Sequence, residues 1–270
     1  MADSADTDSS EAAAPETPLP RRRRRVRRIL TWSVRGTLIA LVLTIIVMAV
    51  LITSMPGHGP LFRATQTPLS RINLRQRLSL LEPDDKRVMD QVTGLLDWHR
   101  HRIARTDAEI VERARVLIPG LANPFVRELV EWRLEARTLV AAMRRRRSGK
   151  DLPGPRVLWG YGRWLPMIRR HWHEPHFGLE RVFPWLPEAR EHLDNGNAIA
   201  LERLLLGMFW DHLERLSEGH EFDFEAVLIY VMRWDLVARW VGYHKEGAAR
   251  RFEEMVESAL QGFDLDSLVA

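Results

Sequence analysis

The sequence predicts an all-α domain tethered by a single N-terminal transmembrane helix. Three observations predict it. Gly36 to Met55 reads GTLIALVLTIIVMAVLITSM, twenty residues without a charge or a proline. Beyond Leu69, apolar residues recur with the helical period in segment after segment, each bounded by capping or helix-ending residues. Alternating apolar and polar runs, the mark of half-buried strands, are scarce. As a helix the apolar run rises ~1.5 Å per residue, roughly 30 Å in all, the thickness of a bilayer's hydrocarbon core.

The chain divides into residues 1–28, a disordered acidic tail with an arginine block; 29–55, the anchor; 56–68, a linker; 69–263, the helical domain; and 264–270, a tail. Met1 to Pro20 is built from Ala, Ser, Asp, Glu, Thr and Pro with one Leu, too little apolar surface to offset the entropy of ordering. Arg21, Arg22, Arg23, Arg24, Arg25, Arg27 and Arg28 follow. Such a block reads either as a patch for nucleic acid or acidic lipid, or as a topogenic signal. The second fits its place before an apolar helix, because positive flanks stay on the cytoplasmic side. Downstream, Arg63, Arg71, Arg75 and Arg77 lie at increasing distance and weaken the bias without reversing it. The expectation is a single-pass protein of the bacterial cytoplasmic membrane, N-terminus inside and domain in the periplasm. The run exceeds a signal-peptide core and ends in ITSMPGHG without a small-x-small cleavage site, so the anchor is expected to remain uncleaved.

Pro56 to Pro68 is rich in proline and glycine. Glu82-Pro-Asp-Asp85 opens a helix with Val88, Val92, Leu95, Leu96 and Ile103 in register. Thr106-Asp-Ala-Glu109 is a capping-box pattern before Ile110, Val111, Ala114, Leu117 and Ile118. Asn123-Pro124 is an N-cap followed by a first-turn proline, opening a helix to about Arg147 with Phe125, Leu129, Trp132, Ala136, Leu139 and Met143 on one face. Ser148 to Pro187 reads as irregular, with at most a short helix through Trp164 to Trp172. Three helices close the chain: Asn197 to Leu216, Asp223 to Tyr243, and one carrying Phe252, Met255, Val256, Ala259 and Leu260.

Composition excludes several function classes. There is no cysteine, so disulfides, thiolate metal sites and cysteine nucleophiles are ruled out. Eight of the 40 basic residues and five of the 36 acidic ones lie at or before Arg35, which leaves the remainder near neutral at 32 against 31. A near-neutral domain carries no electrostatic footprint for nucleic acid. Gly149-Lys150 lacks the spacing of a phosphate loop, Gly160-Tyr-Gly162 follows no buried strand, and no nucleophile elbow occurs. No cofactor and no catalytic residues are expected.

His171, His173 and His176, with Glu174 among them, form HWHEPH. Imidazoles and a carboxylate could hold a transition metal, or they could be ordinary loop residues; Pro175 and the spacing oppose a helical zinc pair. His99 and His101, two apart, would point to different sides of a helix. Arg144 to Arg147 read as cations answering a helix C-terminus, or as a lipid or partner contact. Of ten tryptophans, Trp132, Trp210, Trp234 and Trp240 fall in apolar stripes. Trp159, Trp164, Trp172 and Trp185 fall in the irregular stretch, where they could cover the core, meet the membrane interface or form a partner surface.

Several stretches carry a resemblance: PLSRINLRQRLSLLEPDDKRVMDQV, EWRLEARTLVAAMRRRR, HFGLERVFPWL, ALERLLLGMFWDHLERL and FDFEAVLIYVMRWDLVARWVGYHKEGAARRFEEMVESAL. From Leu69 to Phe263 the chain resembles a bacterial family of uncharacterised helical proteins associated with V/A-type rotary ATPases, itself similar to their C (d-type) subunit. The last stretch is the most specific, with Arg239-Trp240 and a Lys-Glu-Gly break before the final helix. The resemblance implies a helical, non-enzymatic interaction protein, an accessory or C-like subunit with protein partners. The anchor and the arginine block depart from the family's pattern.

Overall fold

The computed structural model describes residues 38–39, 42–96 and 106–262, with the helical backbone alone for 244–262. The arginine block, His99, His101, Ile103 and the tail 264–270 lie outside the described residues. The elements follow from caps the chain itself supplies. Residues 42–54 form α1. A 3-10 turn at Leu61–Arg63 leads to α2 (Arg71–Leu78), α3 (Pro83–Leu96) and α4 (Asp107–Leu117). After a second such turn at Ile118–Gly120 come α5 (Pro124–Arg147), α6 (Leu165–Arg170), α7 (Leu186–Asp194), α8 (Ala198–Leu216) and α9 (Phe224–Gly262). Among the described residues there is no strand, and the fold is all-α.

The capping box at α4 is formed: Thr106 Oγ1 accepts from Glu109 N, and Glu109 Oε2 accepts from Thr106 N at 3.0 Å. Asn123 Oδ1 accepts from the N–H groups of Phe125 and Val126, with Pro124 in the first turn of α5. Asn197 Oδ1 caps α8 through Ala200 N, and Asp223 Oδ1 caps α9 through Ala226 N. These bonds satisfy donors that a helix start otherwise leaves open. Helix α5 is central, packing against α3, α6 and α7, while α8 lies against α7 and α9. Leu129, Leu134, Leu139 and Met143 of α5 are buried with Leu205 and Phe209 of α8 and Val227, Trp234 and Val237 of α9.

Two elements differ from the sequence expectation. The break at Lys245-Glu-Gly247 does not occur, and α9 runs unbroken for 39 residues. A single glycine costs a helix about 1 kcal/mol, and the neighbouring Ala248 and Ala249 favour continuation. The irregular stretch contains α6, within the short helix expected through Trp164 to Trp172, and ends in α7, which the sequence does not predict; each has a proline in its first turn, Pro166 and Pro187. A proline there has no N–H to lose, so what signals a loop also opens a helix.

The chain forms two compact units, Met1–Ile46 and Val47–Ala270. In the first, Leu38, Ile39, Val42, Leu43, Ile45 and Ile46 are 46–61% exposed. In the second, Val47 and Val50 are exposed, while Met48, Leu51 and Met55 belong to the core. Among the described residues no helix is long and apolar enough to cross a membrane. Of the expected span, Gly36, Thr37, Ala40 and Leu41 fall outside the described residues.

Candidate functional site

The linker that follows α1 runs as a strap along α8 and α9. Tyr230 Oη donates to Pro56 O at 3.0 Å, and Trp234 Nε1 donates to Leu69 O at 2.9 Å. Between these pins, the His58 ring lies 4.2 Å from the Tyr230 ring and edge-on to Trp210 at 6.0 Å. Leu61 is buried, and Phe62 meets Trp240 edge to face at 5.0 Å with the Arg203 guanidinium 4.7 Å above it. Burial, with Arg233 adding to it, pushes His58 down to about 4, so the imidazole is neutral at pH 7. Burial also pushes Tyr230 up to about 12. Proline and glycine in 56–68 leave only the 3-10 turn at Leu61–Arg63 as regular structure; they do not exclude packing, which Leu61, Phe62 and Leu69 supply.

Trp159, Trp164, Trp172 and Trp185, which the sequence leaves as core cover, membrane-interface or partner-surface residues, turn inward. Trp159 and Trp172 are buried and meet edge to face at 6.0 Å. Trp164 and Trp185 are half-buried against the core and flank Phe183 at 5.9 and 6.1 Å. Aromatic edges satisfied by aromatic faces cover the α5 side of the domain, the arrangement of the core-cover alternative.

The histidines of HWHEPH do not converge. His171 Nδ1 pairs with Glu174 Oε1 at 2.6 Å, His173 is exposed, and His176 is half-buried. Among the described residues the group of three able to ligate a metal lies elsewhere, at His220, Asp223 and Glu225. Its atoms are already engaged: His220 Nδ1 with Asp223 Oδ2 at 2.6 Å, Asp223 Oδ1 on the α9 cap, and Glu225 Oε1 accepting from Asn123 Nδ2 at 2.7 Å. The trio ties the start of α9 to the start of α5.

What the HWHEPH loop carries instead is a clamp. Arg146 donates to the carbonyls of Trp172, Glu174 and Pro175, the last at 2.8 Å, and its guanidinium lies 4.9 Å over the Phe177 ring. Phe177 is fully buried at φ 57°, a left-handed conformation rare for a bulky residue. The neighbouring turn Gly160-Tyr-Gly162 is pinned to α5 by two buried polar side chains. Thr138 Oγ1 accepts from Tyr161 N at 2.8 Å, and Glu135 Oε1 accepts from Arg163 N at 3.0 Å. Burial raises the Glu135 carboxyl above its ordinary range, opposed by the Arg163 N–H and guanidinium. The two glycines thus serve close approach to a helix.

A family profile described as a protein of unknown function, DUF2764, matches residues 119–263, more than half of the chain. The chain belongs to this family. The DUF2764 match spans α5 to α9 and therefore includes the Arg146 clamp, the Glu135 and Thr138 contacts and the helices that receive the strap. The strap itself and α2 to α4 precede it. No curated protein and no solved structure matches the chain.

Proposed function

We propose that this DUF2764 protein is a single-pass, membrane-anchored, non-enzymatic interaction protein. Gly36 to Met55 spans the bilayer, and the domain lies on the side opposite the arginine block. The observation that carries the reading is the row of exposed apolar side chains from Leu38 to Val50. Eight large apolar groups facing water would be a heavy aggregation liability, and in lipid they cost nothing. The docked strap supports a domain that begins at the bilayer surface. The polar side chains of the candidate sites are used in caps and clamps, which supports binding over catalysis.

Two partner classes follow. The resemblance of Leu69 to Phe263 to rotary-ATPase-associated proteins supports an accessory or C-like subunit of a V/A-type ATPase. The arginine block supports a periplasmic scaffold for another envelope protein, because a coupling subunit must meet a cytoplasmic head. In-cell cross-linking followed by detergent extraction and purification of the full chain separates them. Rotary-ATPase subunits in the eluate support the first and an envelope partner the second; a chain recovered alone contradicts an interaction protein.

A further inference from the structure

We propose that the cavity at the C-terminal end of α5 binds a phosphate-bearing ligand. It has a volume of about 290 Å3 and a floor that includes Leu205 and Phe209. Its rim carries Arg137, Arg144, Arg145 and Lys150 against one carboxylate, Asp107. Two of these cations are engaged: Arg137 Nη2 with Asp107 Oδ1 at 2.9 Å, and Arg145 Nε with Asp151 O at 2.9 Å. The side chains of Arg144 and Lys150 have no hydrogen-bond or ion-pair partner among the described residues. Arg144 also lines an adjoining cavity of about 450 Å3 with Arg147, Ser148 and His192.

Cations in a last helical turn are ordinarily explained by the helix dipole. Here that explanation is incomplete, because Arg144 and Arg145 line a recess with an apolar floor. Burial, opposed by Glu202 and reinforced by Arg137 and Arg239, lowers the Arg144 guanidinium from its ordinary value. Four cations against one carboxylate leave an excess that a doubly charged oxyanion would offset and a single carboxylate would not. Guanidinium forks match phosphate oxygens in pairs. The cavity volume sits at the small end of ligand sites, suited to a headgroup or a small phosphate compound.

The probe is pyrophosphate, titrated by calorimetry into the full chain in a neutral detergent at low salt. The expected result is saturable binding of one pyrophosphate per chain. Arg144→Gln and, separately, Lys150→Gln should weaken it about tenfold, the loss of one charge-assisted hydrogen bond, with unchanged thermal unfolding. Arg113→Gln, on the exposed face of α4, should leave it unaltered. Absence of saturable binding, or equal binding by all three variants, overturns the proposal. Repeating the titration in nanodiscs identifies the source. Competition by phosphatidic acid over phosphatidylcholine assigns a lipid headgroup, and undiminished binding assigns a free phosphate compound.

Discussion

Replacing Gly162 with alanine forces a methyl group into Glu135. Gly162 stands at φ 111°, and an ideal Cβ there falls within contact distance of Glu135 Cγ and 2.9 Å from Oε1. Glu135 is 5% exposed and holds Arg163 N through that oxygen, so it cannot swing aside without leaving both groups unpaired. The strained backbone costs roughly 1–3 kcal/mol and the overpacking roughly 1–3 kcal/mol. Together they predict a loss of about 2–6 kcal/mol, a fall in Tm of roughly 4–24 °C for a domain of this size. The assay is thermal unfolding of the full chain in detergent, followed by far-UV circular dichroism. Gly154→Ala is the control, because nothing lies within 4 Å of its Cβ position, and it should change stability by less than about 0.5 kcal/mol. If Gly162→Ala melts within about 2 °C of the parent chain, the close approach of this turn to α5 is refuted.

Arg146→Ala should cost about 2–3 kcal/mol and speed backbone hydrogen exchange across 171–179, and Arg146→Lys should restore less than half of the loss because an ammonium lacks the fork. Unchanged exchange there would show that the clamp does not hold the loop. Tyr230→Phe removes the bond to Pro56 O and should cost about 0.5–1.5 kcal/mol, read as faster hydrogen exchange across 57–69. Burial first, then Arg233 and Arg215 respectively, lowers His58 and His212 from 6.5 to about 4. Between those values the unfolded chain holds more protons than the folded one. Stability is therefore complete above pH 6.5 and is lost as pH falls toward 4, by about 1 kcal/mol per histidine after allowance for partial exposure. His58→Gln and His212→Gln should each flatten that slope in urea titrations run across the window.

Short-range chemistry made much of the fold legible. Thr106 with Glu109, Asn123 with Pro124, and Asn197 each act within a few residues, so their pattern alone locates three helix starts. The strap was illegible for the opposite reason. Pro56 and Tyr230 are 174 residues apart, and Leu69 and Trp234 are 165 apart, so no window along the chain could pair them. The arginine run shows the same limit. As dipole partners Arg144 to Arg147 look alike, yet Arg146 clamps a loop, Arg145 holds Asp151 O, and Arg144 lines a cavity. Period and composition also cannot say which way a loop tryptophan turns; Trp159 and Trp172 face inward because aromatic partners wait there.

The most direct test of the central claim is the side of the membrane on which Ala270 lies. Two fusions after Ala270 report it: alkaline phosphatase, active only outside the cytoplasm, and a fluorescent protein that folds poorly when exported. The account predicts phosphatase activity in the membrane fraction with little fluorescence, a domain held in the periplasm by Gly36 to Met55. Fluorescence without phosphatase activity would contradict that placement and leave the rotary-ATPase subunit as the surviving partner class.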